Sequence, residues 1–107
     1  MENRIATAGT MRYTVDPVRT GLGVDSLKRA ILDNLTFHLG RMQRLANRHD
    51  YYMALAYAVR DRLLHRWMQT HEAYANAQIK VACYLSAEFL MGPHLGNNLL
   101  SLGIHDE

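Results

Sequence analysis

The stretch Ile79-Lys80-Val81-Ala82-Cys83-Tyr84-Leu85-Ser86 decides how the rest of the chain is read. It is short, apolar and rich in β-formers, and both of its alternating faces are largely apolar, which is the pattern of a strand buried on both sides. Such a strand carries N–H and C=O groups along each edge that must find partners. No second strand-like run occurs elsewhere in the 107 residues. The partners are therefore expected from outside the chain, which reads as an incomplete fold.

Upstream of that stretch the pattern is helical. Leu27, Ile31, Leu35 and Leu39 recur every four residues and predict a first helix, widened by Ala30, Phe37, Met42 and Leu45. Asp25 or Ser26 can cap its start. Gly40 is a point of break or bend, since glycine costs about 1 kcal/mol against alanine inside a helix. Arg41, Arg44 and Arg48 are placed in the last turns, where cations suit the helix dipole. Asn47 to Asp50 read as a short link, with Asp50 as N-cap of a second helix that runs to about Tyr74 or Ala77. Its apolar stripe is Leu55, Val59, Leu63 and Trp67, and its wetter face holds Arg60, Asp61, Arg62, His65, Arg66 and Gln69. Downstream, Pro93 is placed as the first residue of a short helix through Leu95, Leu99, Leu100 and Leu102, stopped by Gly103.

Residues 1–23 carry turn signals at Asp16-Pro17 and Gly21-Leu22-Gly23 and no sustained periodicity, and they read as a flexible arm. Met11, Tyr13 and Val15 alternate with polar residues, so an arm docked on a partner subunit is the other reading. The core-forming part is 24–107. The fold class is thus an α/β fragment that is mainly helical, with two long helices, one orphan sheet strand and a short helix.

Composition bounds the function classes. Twelve Lys+Arg against ten Asp+Glu leave a net charge of +2, too small for the concentrated basic footprint of a nucleic-acid binder. The longest apolar run, Tyr51 to Val59, is far short of the ~20 residues that span a bilayer, so no membrane partner is expected. One cysteine, Cys83, excludes an internal disulfide and fits a reducing, cytoplasmic setting; within an apolar strand it is inert packing. No histidine pair has the i,i+4 spacing of a helical metal site, and no metal is expected.

Glu88 is the residue with a claim to chemistry. It lies just past the expected strand, where ligands gather in α/β proteins, in otherwise apolar sequence. A carboxylate there needs an offset to desolvation: backbone N–H groups, an arginine, or a ligand.

Asp50-Tyr51-Tyr52-Met53-Ala54-Leu55-Ala56, Val59-Arg60-Asp61, Arg66-Trp67 and Tyr84-Leu85-Ser86-Ala87-Glu88-Phe89-Leu90-Met91-Gly92, in that order and followed by Leu95 and Asn97, resemble the N-terminal region of α-glucan phosphorylases of bacterial type. The resemblance implies a two-domain α/β glycosyltransferase, of which this chain is part of the first domain. It implies phosphorolysis of terminal α-1,4-glucan bonds by inorganic phosphate to glucose 1-phosphate, with pyridoxal phosphate as cofactor and a homodimer as the assembly. Glu88 matches the glutamate that lines the glucosyl pocket in the family. Leu90 stands where some members carry a tyrosine, and Pro93-His94 where Arg-Thr is commoner. The positions of the animal enzymes' nucleotide site hold Met42, Arg44, His71, Glu72 and Ala75, so activation by AMP is not implied. The family's cofactor lysine, its phosphate-binding Arg and Lys and its Gly-rich loop match nothing before Glu107. No catalytic residue is therefore placed in this chain, and alone it is expected to be inactive. The rival reading is a non-enzymatic helical module that binds a partner protein such as a phosphorylase subunit.

Overall fold

The computed structural model describes residues 15–107. The alternation of Met11, Tyr13 and Val15, and with it most of the 1–23 arm, lies outside the described residues except for Val15 onward. Pro17–Thr20 forms a single helical turn, α1, capped by the Asp16 carboxylate, which accepts from the Val18 N–H at 2.9 Å. Proline at the first helical position suits that start, because its missing N–H would have been unpaired anyway.

The first long helix, α2, spans Val24–Asp33 and passes into a wider π-helical turn, Asn34–His38. Gly23 is its N-cap, not Asp25 or Ser26, and Asp25 sits in the first turn, where its charge suits the dipole. The widening has a local cause: the Asn34 side-chain amide donates to the Ala30 carbonyl at 2.9 Å and competes with the regular ladder. The helix ends before Gly40, which takes a left-handed φ of 62°. Leu27, Ala30 and Leu35 are buried, in keeping with the expected stripe, whereas Phe37, Met42 and Leu45 are exposed. Arg41, Arg44 and Arg48 are not in its last turn; Arg41 lies in the link and pairs with Asp50 at 3.4 Å.

The second long helix, α3, runs Arg48–Ala77. Its start is a capping box. The Asn47 side chain accepts from the Asp50 N–H at 2.9 Å, and the Asp50 carboxylate accepts from the Asn47 N–H at 3.0 Å. Asp50 is thus the third helical residue and not the cap. Thirty residues at 1.5 Å each make a rod of about 45 Å, and its buried and half-buried residues lie between Asp50 and His65. The buried stripe there is Ala54, Ala58, Val59 and Arg62; Leu55 and Leu63 are half-buried, and Trp67 is 54% exposed. From Arg66 to its end every residue is exposed.

The expected strand is absent: there is no strand among the described residues, and 79–94 has no regular secondary structure. The reason is the one that made the stretch conspicuous, since nothing else in the described chain offers an edge to pair with. Tyr84, Leu85 and Cys83 are exposed, so Cys83 is not core packing. The last helix, α4, spans Leu95–Leu102, two residues later than Pro93, and ends at Gly103 with φ 75°. Leu102 and Ile104 complete a small core with Leu27 and Val59, flanked by Leu55, Leu63, Leu95 and Leu99.

Candidate functional site

Glu88 sits in a tight local turn inside the irregular 79–94 segment. Its N–H donates to the Ser86 Oγ at 3.1 Å, the chain bends at Ala87, and the Tyr84 and Phe89 rings meet edge to face across the turn with centroids 6.2 Å apart. Serine accepting two residues on is a turn device of its own, independent of any sheet. The Glu88 residue is exposed, and no ion pair or side-chain hydrogen bond reaches its carboxylate among the described residues. On both sides of it the apolar side chains are open to solvent: Leu85 is 93% and Leu90 97% exposed. The turn therefore presents a carboxylate within an apolar, uncovered strip.

Two ends anchor that strip. At one, Gln78 terminates α3 in the left-handed region, φ 50°, and turns the chain away from the helix axis. At the other, α4 lies back on α3 through its leucines, and the Arg66 guanidinium donates to the Ser101 and Leu102 carbonyls at 3.1 and 3.4 Å.

A second feature was not legible as a site. Arg62, placed on the wetter face of its helix by the sequence pattern, is 1% exposed. Its Nε donates to the Gly21 carbonyl at 2.8 Å, and its two terminal nitrogens donate to Val18 (3.0 Å) and Ala58 (2.8 Å). Burial pushes its pKa down, and the neighbouring Asp61 carboxylate pushes it up in part. Asp61 in turn pairs with Arg19 at 2.9 Å. The signal was present in the spacing: Ala54, Ala58 and Arg62 fall on one face four residues apart, and two alanines leave room for a long side chain to lie flat. Beside this junction an open cavity of about 470 Å³ lies between α1, α2 and α3, with Asp16, Asp33, Arg60 and Asp61 in its walls.

Neither feature assembles catalytic machinery. Among the described residues no group of three His, Cys, Asp or Glu side chains could hold a metal ion. Pyridoxal phosphate does not fit the residues present: both lysines, Lys28 and Lys80, are exposed, and Lys28 edges a mostly apolar groove lined by Leu27, Ile31 and Leu55. No helix among the described residues is long and apolar enough to cross a membrane.

Comparison with known proteins gives these elements a context. The chain is 56% identical over 90 residues to a glycogen phosphorylase of Synechocystis, a match covering 84% of this chain and 11% of that protein. It is 41% identical over 85 residues to a glycogen phosphorylase of Chlamydia pneumoniae, covering 79% of this chain and 10% of the other. It is 40% identical over 87 residues to the bovine brain form of glycogen phosphorylase, covering 80% and 10%. No family model matches the chain, and no solved structure matches it. The chain spans about a tenth of the length of the curated relatives it matches. By sequence it belongs with the glycogen phosphorylases, as a homologue of a small part of their length.

Proposed function

We propose that the chain supplies part of the N-terminal domain of a cytoplasmic, dimeric α-glucan phosphorylase, which cleaves terminal α-1,4 bonds with inorganic phosphate to release glucose 1-phosphate. The observation that carries this reading is the Glu88 turn in its uncovered apolar strip, on a chain homologous to phosphorylases over four-fifths of its length. Residues 79–86 then serve as one strand of a two-domain α/β glycosyltransferase, paired with strands contributed by the rest of the enzyme. In that setting the Glu88 carboxylate faces the glucosyl unit, and hydrogen bonds from sugar hydroxyls offset its desolvation. Pyridoxal phosphate would be held by residues outside this chain, where it would supply acid–base chemistry; no residue here is assigned a contact with it.

Complementation tests the reading. The Synechocystis phosphorylase lacking its matching segment is co-expressed with this chain, and glucose 1-phosphate release from maltoheptaose is measured. Release is expected only when both are present, and the chain alone gives none. Activity of the chain alone, or no release from the pair, would overturn the proposal. A helical module that merely binds a phosphorylase subunit is favoured by one observation, that no buried side-chain polar atom among the described residues lacks a partner. That module would bind the intact Synechocystis enzyme without restoring the shortened one.

A further inference from the structure

Two short helices, α1 and α4, lie on α3, and they are held there by different physics. α4 buries Leu102 in the core, which Ile104 continues. α1 buries none of its four residues. Its side-chain ties to α3 are polar: the Val18 and Gly21 carbonyls accept from Arg62 at 3.0 and 2.8 Å, and Arg19 pairs with Asp61 at 2.9 Å. The Arg19 side chain is 63% exposed, so water and salt screen that pair. We propose that α1 is a strap that opens as one unit while α2, α3 and α4 stay folded, and that its opening uncovers Arg62 and removes one wall of the neighbouring cavity. This stands apart from the phosphorylase reading and needs nothing from it.

Three features place the open form between the closed and the unfolded chain. The link from α1 to α2 is Leu22 and Gly23, both exposed, and an added Cβ at Gly23 would meet nothing within 4 Å, so the pivot is unpacked. Opening leaves no donor stranded: Arg62 keeps the Ala58 carbonyl of its own helix at 2.8 Å, and water replaces the other two acceptors. Opening also returns to solvent a guanidinium whose burial pushes its pKa down, which offsets part of what closure gains. The apolar core of Leu27, Val59, Leu102 and Ile104 takes no residue from α1 and survives the change. The cavity does not: α1 and its cap supply Asp16, Val18 and Arg19 to its wall, and the remaining walls belong to α2, the π turn and α3.

Hydrogen exchange of the whole chain, followed by NMR, reads the opening directly. The Arg19 and Gly21 N–H groups are bonded to the Asp16 and Pro17 carbonyls, and the Arg62 Nε–H to the Gly21 carbonyl. These three are expected to share one protection of about a hundredfold that low urea does not change. The Ala58 and Val59 N–H groups should be protected about tenfold more or better, and should lose protection as urea rises. Arg19→Gln should lower the shared protection by about two- to threefold. Val59→Ala should lower protection along α3 by about tenfold and leave the shared value unchanged, because the closed and open forms contain the same core. If Val59→Ala does not fold, the urea series on the parent chain carries the comparison. Protection of α1 that equals that of α3 and falls with it in urea would overturn the proposal. So would unequal protection of Gly21 and Arg62, or no protection of α1 at all.

Discussion

Arg62 and Arg66 stand one helical turn apart on α3, and each holds the C-terminal end of a different short helix. Arg62 takes the Val18 and Gly21 carbonyls at the end of α1, and Arg66 takes the Ser101 and Leu102 carbonyls at the end of α4. Segments about eighty residues apart in sequence are thus secured to adjacent turns of one rod. The two bonds differ in surroundings, since Arg62 is buried and Arg66 exposed.

That difference predicts unequal costs. Arg62→Met removes three donors and leaves the Gly21 and Val18 carbonyls without them, so it should cost about 2–3 kcal/mol in urea unfolding. Arg66→Gln should cost under about 1 kcal/mol, because water replaces the lost partner. Burial holds the Arg62 pKa below its unfolded value, so the penalty for charging it is fully present at neutral pH. Stability linked to this group should rise only in strong alkali and stay flat through the neutral range.

Gly21→Ala tests how closely α1 is seated. The Gly21 φ is −62°, which any residue accepts, so backbone strain is not the issue. Space is: an added Cβ would lie 2.6 Å from the Ser26 Oγ and 2.7 Å from the Pro17 carbonyl oxygen. The backbone contact cannot rotate away, and a loss of about 1–3 kcal/mol is expected from overpacking. Combining it with Ser26→Gly should recover only part of that loss in the same unfolding measurement.

Asn47→Ala removes half of the capping box that starts α3. The Asp50 N–H loses its acceptor, and a cost of about 1 kcal/mol is expected. Asn47→Asp keeps an acceptor and should hold thermal stability close to the parent, which separates the cap from a general effect at this position.

Where local chemistry governs, the chain could be read directly. The Leu27-to-Leu39 periodicity, the break at Gly40 and the stop at Gly103 all depend on side chains within a turn or two. The start of α3 slipped by three residues because Asn47 and Asp50 act reciprocally, and either alone looks like a cap. Arg62 escaped because a charge on an alanine face normally marks solvent; what buries it is α1, four residues whose own sequence gives no sign of docking. The 79–86 segment was legible in its demand for partners and illegible in its conformation, because a strand is a property of two segments and no second one occurs among the described residues. Glu88 could be singled out from its apolar setting, but its turn comes from Ser86, a residue the strand pattern had absorbed.

Leu90→Asp is the sharpest test of what the uncovered strip is for. In this chain Leu90 is 97% exposed, so removing it forfeits almost no buried area, and a change within about 0.5 kcal/mol in unfolding is expected, as for surface substitutions generally. A leucine kept exposed beside other apolar residues is a liability to a free chain, and the aspartate should make the isolated chain less prone to self-association. In the complementation pair the expectation reverses. On the proposed reading the rest of the enzyme covers the strip there, and a buried carboxylate with no partner should abolish restored phosphorolysis. Leu85→Asp should behave alike. Unchanged stability of the chain together with lost activity of the pair is the signature of a surface shaped for a neighbour, whereas full activity of the pair would mean that the strip faces water in the working protein.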